Sequence, residues 1–94
     1  MCRNIRVLHH FVPPTTPEER RAAALQYVRK VSGINKPSVA DDAAFQTAID
    51  QINEATERLL GALSPPRSAP RTREAERERG RKRWQAREAR MKTP

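Results

Sequence analysis

The chain has 94 residues, 36% of them hydrophobic and 32% charged, with a net charge of +8 and a mean hydropathy of −0.88. That length holds at most one small domain, and a composition this polar cannot pack into a core throughout. No apolar run approaches the ~20 residues that a bilayer crossing needs, and the single cysteine, Cys2, excludes an internal disulfide framework.

Charge is distributed unevenly. Through Leu63 there are eight basic and seven acidic residues, a net of +1; after it there are eleven basic and four acidic, a net of +7. A near-neutral body with a basic tail directs the tail towards a polyanion, against the alternative that it only solubilises. Arg3, Arg6, His9 and His10 interrupt the only apolar stretch near the N-terminus, so no signal-peptide core is expected. A reduced, cytoplasmic protein without a membrane partner is the expectation.

In chain order, Ile5 and Val7 alternate with polar neighbours and suggest a short extended segment with no strand partner inside the chain. It would lie against helices or pair with another copy. Pro13-Pro14 then enforces an extended step. Thr16-Pro17-Glu18-Glu19 reads as a helix start: a threonine cap, proline at the first position, and Glu19 closing a capping box. The helix over 17–32 carries Ala24, Leu25, Val28 and Val31 as a stripe flanked by Tyr27. Arg29 and Lys30 fall in its last turn, and Gly33 just past the end. Ser38 or Asp41 caps a second helix, about 39–63, with Phe45, Ala48, Ile49, Ile52, Ala55, Leu59, Leu60 and Leu63 at helical spacing. Ser64-Pro65-Pro66 stops it.

Residues 64–72 read as a Pro/Ser/Arg linker. Residues 73–94 are rich in Arg, Glu, Ala and Lys, good helix formers with a Glu78–Lys82 pair at i,i+4. They have no apolar face, Gly80 weakens the middle, and Trp84 is the only large apolar residue of the densest basic run. A helix that does not pack on the body is expected.

The fold class that follows is all-α: a small helical hairpin over 1–63 with an extended N-terminal segment, the 64–72 linker, and a disordered or transiently helical basic tail. So few apolar residues form a thin core. A homodimer packing stripe against stripe would cover it; the alternative is a monomer closed by Phe11 and Val7.

Met1-Cys2-Arg3-Asn4-Ile5 and the run Ala23-Ala24-Leu25-Gln26-Tyr27-Val28-Arg29-Lys30-Val31-Ser32-Gly33 resemble the bacterial domain-of-unknown-function 2277 family. Asn35-Lys36-Pro37-Ser38, Ala44-Phe45, Leu59-Leu60 with Leu63, and the Pro13-Pro14 step fit the same pattern, over about residues 1–63. The resemblance implies a small helical protein, often with an Arg/Ala-rich basic end, and no known activity. His9-His10 depart from the Phe and Asn that the family carries thereabouts, which argues against a metal or catalytic role for them.

Cys2, His9 and His10 are three N/S donors where a structural zinc site wants four, so no metal is expected. Cys2 after removal of Met1 would make an N-terminal nucleophile; the plainer reading is a small packing residue. Arg29, Lys30, Lys36 and Ser38 bracket the start of the second helix as a candidate anion site, against the plainer reading of dipole neutralisation and capping. Arg79, Arg81, Lys82, Arg83, Arg87 and Arg90 surround Trp84 as a candidate polyanion site: cations for phosphates and an aromatic face for an unpaired base. No catalytic residue set and no cofactor motif is present. The reading is a non-catalytic binding module whose tail contacts RNA, DNA or the ribosome. The alternative is a small enzyme or redox protein using Cys2.

Overall fold

The computed structural model describes residues 4–92, so Cys2 and any role of its thiol lie outside the described residues. The protein is all-α: α1 spans Pro17–Ser32, α2 Asp42–Ala62 and α3 Arg73–Lys92, with no strand among the described residues. The described residues form two compact units, one of residues 4–9 with Thr15–Pro65, the other of His10–Pro14 with residues 66–92. This grouping differs from a division by composition at residues 64 and 72, because residues 10–14 associate with the C-terminal part.

In the first unit, α1 begins as its sequence dictates. The Thr16 side chain accepts from the Glu19 N–H, the Glu19 carboxylate accepts from the Thr16 N–H at 2.9 Å, and Pro17 opens the helix where no N–H is missed. Gly33 ends it in the left-handed region at φ 73°, its N–H donating to the Arg29 carbonyl. A methyl group on Gly33 would meet nothing within 4 Å, so its cost is conformational alone. Gly33→Ala should therefore lower stability by about 1 kcal/mol. In urea this is a lower midpoint with an unchanged slope.

α2 starts at Asp42, three residues later than the expected 39. The Ser38 hydroxyl accepts from the Asp41 N–H at 3.3 Å and donates to the Asp41 carboxylate at 3.2 Å, and the Asp41 N–H also reaches the Ser38 carbonyl at 3.1 Å. These i to i+3 contacts close a tight turn ahead of the helix. At the far end Leu63 is already extended, and Pro65 disfavours helical backbone at Ser64 as well.

The two helices pack antiparallel. Arg20 at the start of α1 lies 4.0 Å from Glu57 late in α2, and Arg21 pairs with Asp50 at 2.7 Å while donating to Gln46. Ala24, Val28, Phe45 and Ile49 are buried between them, with Leu25, Ala48 and Ile52 packed alongside. Large apolar residues at the ends of the stripes stay exposed: Val31 is 69% exposed, Leu59 55% and Leu63 45%. Phe45 lies in the first turn of α2, so α2 begins short of the α1 turn beyond Val28. At 21 residues against 16, α2 also overruns α1 at the other end.

The N-terminal segment is not a strand. Residues 4–6 and 9–10 bend, with Ile5 and Val7 exposed. Polar ties hold it to the hairpin. The Asn4 N–H donates to Gln26 Oε1 at 2.7 Å, Arg6 pairs with Glu19 at 3.2 Å, and the Thr15 hydroxyl donates to the Leu8 carbonyl. His9 Nε2 lies 3.3 Å from the Ser64 carbonyl oxygen. Val7 stays half in solvent, and Phe11 groups with residues 66–92 in the second unit.

In that unit Phe11 finds a partner within the chain, an isolated parallel bridge with Arg71. The Arg71 N–H donates to the His10 carbonyl at 2.7 Å, and the Val12 N–H donates to the Arg71 carbonyl at 2.9 Å. Arg73 donates to the carbonyls of Pro13 and Pro14 at 2.8 and 3.0 Å, and its guanidinium carbon lies 5.4 Å from the centre of the Phe11 ring, a cation–π distance. His10 turns the chain at φ 64°, its Nε2 2.9 Å from the Ser68 carbonyl oxygen. Arg73 thus satisfies both carbonyls of the Pro-Pro step.

Candidate functional site

α3 starts where the Thr72 hydroxyl accepts from the Ala75 N–H at 3.2 Å and continues through Gly80. Its two halves differ in how their charges are satisfied. In the first, three glutamates neutralise three arginines at i,i+3: Glu74 with Arg77 at 3.5 Å, Glu76 with Arg79 at 2.9 Å, and Glu78 with Arg81. Glu78 thus turns to Arg81 and not to Lys82, the expected i,i+4 partner.

The second half, 82–92, holds five cations and one anion, a net of +4. Among the described residues, no ion pair involves Lys82, Arg83, Arg87 or Arg90. Arg79, Arg83, Arg87 and Arg90 follow at spacings of four, four and three, which puts them on one face of the helix. Trp84 is 54% exposed and three residues from both Arg81 and Arg87, so all three are neighbours on the helix surface. Of the seven residues expected here from the sequence, all lie on one helix; Arg79 and Arg81 already have carboxylate partners, and Lys82, Arg83, Arg87 and Arg90 do not. This division is invisible to a count of charges, because Glu pairs equally well at i+3 or i+4 until side-chain geometry decides.

The expected anion site divides differently. Arg29 and Lys30 line a pocket of about 520 Å³ at the C-terminal end of α1, together with Asn4, Gln26 and Asn35. Lys36 and Ser38 do not line it. The Ser38 hydroxyl is engaged by Asp41, whose carboxylate would repel an anion there. Gln26 and Asn4 had no signal in the sequence, since their juxtaposition depends on how the N-terminal segment lies on α1.

Among the described residues, no group of three or more His, Cys, Asp or Glu side chains is placed to hold a metal ion. No helix of the described residues is long and apolar enough to cross a membrane.

No curated protein and no solved structure matches the chain. A family model does, over residues 1–79, which carries the match past the Pro/Ser/Arg segment and into the first two turns of α3. It thus includes the residues that tie Phe11 to Arg71 and two of the three ion pairs of α3, Glu74–Arg77 and Glu76–Arg79, and it ends before the unpaired cations. By that match the chain belongs to the family described as Uncharacterized conserved protein (DUF2277).

Proposed function

We propose that the protein is a non-catalytic binding module of the cytoplasm whose α3 holds nucleic acid, free or in the ribosome. The observation that carries this reading is the set of Lys82, Arg83, Arg87 and Arg90, unneutralised and beside an exposed Trp84. Cations without carboxylate partners bind phosphates at no cost in broken ion pairs, and each contact releases condensed counterions. An exposed indole adds roughly 1–3 kcal/mol by stacking on an unpaired base and little on a duplex, so single strands are favoured. Phosphate neutralisation and stacking are both indifferent to base identity, so binding without sequence preference is expected.

Trp84 is the only tryptophan and so reports on its own site. Titration of the full chain at low salt with a single-stranded RNA should quench its fluorescence saturably; a duplex DNA should bind more weakly with little quenching. Trp84→Phe should retain most of the affinity in an anisotropy titration, and Trp84→Ala should lose about fivefold to a hundredfold. Unchanged fluorescence together with unchanged anisotropy at low salt would refute the reading.

We propose in addition that the helical body pairs with a second copy. Among the described residues the buried core comprises Ala24, Val28, Phe45 and Ile49, while Leu59 and Leu63 at the overrunning end of α2 stay about half exposed. Cores this small contribute roughly 3–5 kcal/mol net, and covering Leu59 and Leu63 would add to that. Sedimentation equilibrium at high micromolar concentration should give twice the 10.7 kDa chain mass, reverting to the chain mass in Leu59→Asp. A folded species of 10.7 kDa for the unsubstituted chain would contradict pairing.

A further inference from the structure

The pocket at the end of α1 has a one-sided chemistry. Its volume of about 520 Å³ lies in the range of small-ligand sites. None of the described residues that line it is acidic, and two adjacent cations, Arg29 and Lys30, border it.

Hydrogen bonding also engages two acceptors at its border and leaves donors beside them. Gln26 Oε1 accepts from the Asn4 N–H at 2.7 Å, which leaves the amide NH₂ of Gln26 to donate. The Asn35 carbonyl accepts from Arg29 Nε at 3.1 Å. That bond fixes the guanidinium plane and leaves its two terminal nitrogens, the pair that meets a carboxylate or phosphate two-pronged. The end of α1 contributes roughly −0.5 charge through its unpaired carbonyls. Arg29 and Lys30 exceed this with two full positive charges, so the site remains attractive to an anion. Ala22 and Leu25 add an apolar wall, both half-buried.

We infer that this pocket binds a small organic oxyanion: a carboxylate or phosphate group gripped by Arg29, Lys30 and the Gln26 amide, carried on an apolar body that rests on Ala22 and Leu25. Lys36 and Ser38 take no part.

The test is an amide chemical-shift titration of the isotope-labelled full chain with phenyl phosphate, benzoate, inorganic phosphate and benzyl alcohol. Phenyl phosphate or benzoate should shift the amides of Gln26, Lys30, Gly33 and Asn35 saturably, and the tighter of the two identifies the head group as phosphate or carboxylate. Inorganic phosphate, lacking the apolar body, should bind at least tenfold more weakly than phenyl phosphate, and benzyl alcohol, lacking the charge, should not saturate. Arg29→Gln should weaken binding at least tenfold. The exposed Lys30→Gln, which leaves the Arg29–Asn35 bond in place, should weaken it severalfold. The inference is overturned by shifts confined to α3 amides, by benzyl alcohol binding as well as the anions, by inorganic phosphate matching phenyl phosphate, or by unchanged affinity in both variants.

Discussion

Ile49→Asp should abolish the cooperative unfolding of the helical hairpin. Ile49 is 2% exposed and sits between the two helices with Ala24, Val28 and Phe45. No cation among the described residues is paired to that spot, so the new carboxylate is either buried unpaired or protonated, at a cost of several kcal/mol in either case. The hairpin has roughly 3–5 kcal/mol of net stability to lose. Far-UV circular dichroism on heating should lose its sigmoid, and the amide resonances of Val28 and Phe45 should collapse to the random-coil range. α3 retains its own helical signal, which is why the cooperative transition and not total helicity is the readout. Val31→Gln provides the contrast. Val31 continues the α1 stripe in sequence but is 69% exposed, so its substitution should move stability by no more than about 0.5 kcal/mol.

The second large effect is expected on α3. Converting Lys82, Arg83, Arg87 and Arg90 to glutamine together should weaken binding to single-stranded RNA by about two orders of magnitude at low salt. Glutamine is a good helix former, so the helix itself survives. A charge-neutral change to the first half isolates the reason. Replacing Glu74, Arg77, Glu78 and Arg81 by glutamine removes two ion pairs and leaves the net charge at +8. Affinity should then change by less than about threefold, since surface pairs of this kind contribute at most about 1 kcal/mol in either direction. Similar losses in the two variants would mean that total charge, and not the unpaired distal set, governs binding.

Much of this molecule is legible in its sequence, and the parts that are not share a cause. The start and end of α1 are local: Thr16, Pro17, Glu19 and Gly33 act on backbone groups within four residues, so pattern is enough. The heart of the core, Val28 with Phe45 and Ile49, follows from helical spacing. The ends of the stripes do not, because Val31, Leu59 and Leu63 depend on how far one helix overruns the other, and spacing carries no record of offset. The partner of Phe11 was illegible for a stronger reason. It is Arg71, sixty residues on, recruited by one backbone bridge and by an arginine that feeds the carbonyls of a Pro-Pro step. For the candidate sites, the residue types of α3 and the pair Arg29–Lys30 are visible in the sequence. Which cations are already neutralised, and that Gln26 and Asn4 join Arg29, depend on side-chain geometry.

The account rests most heavily on phosphate contacts by the unpaired half of α3, and the salt dependence of binding measures those contacts directly. The affinity of the full chain for a single-stranded RNA should be followed by anisotropy from 50 to 200 mM monovalent salt. With up to four phosphates neutralised, log affinity should fall against log salt with a slope of about −3, roughly a fiftyfold loss over that range. The variant with Lys82, Arg83, Arg87 and Arg90 replaced by glutamine should show a slope near zero. A slope near zero for the unsubstituted chain, or the same steep slope in the variant, would contradict the assignment of α3 as the nucleic-acid-binding element.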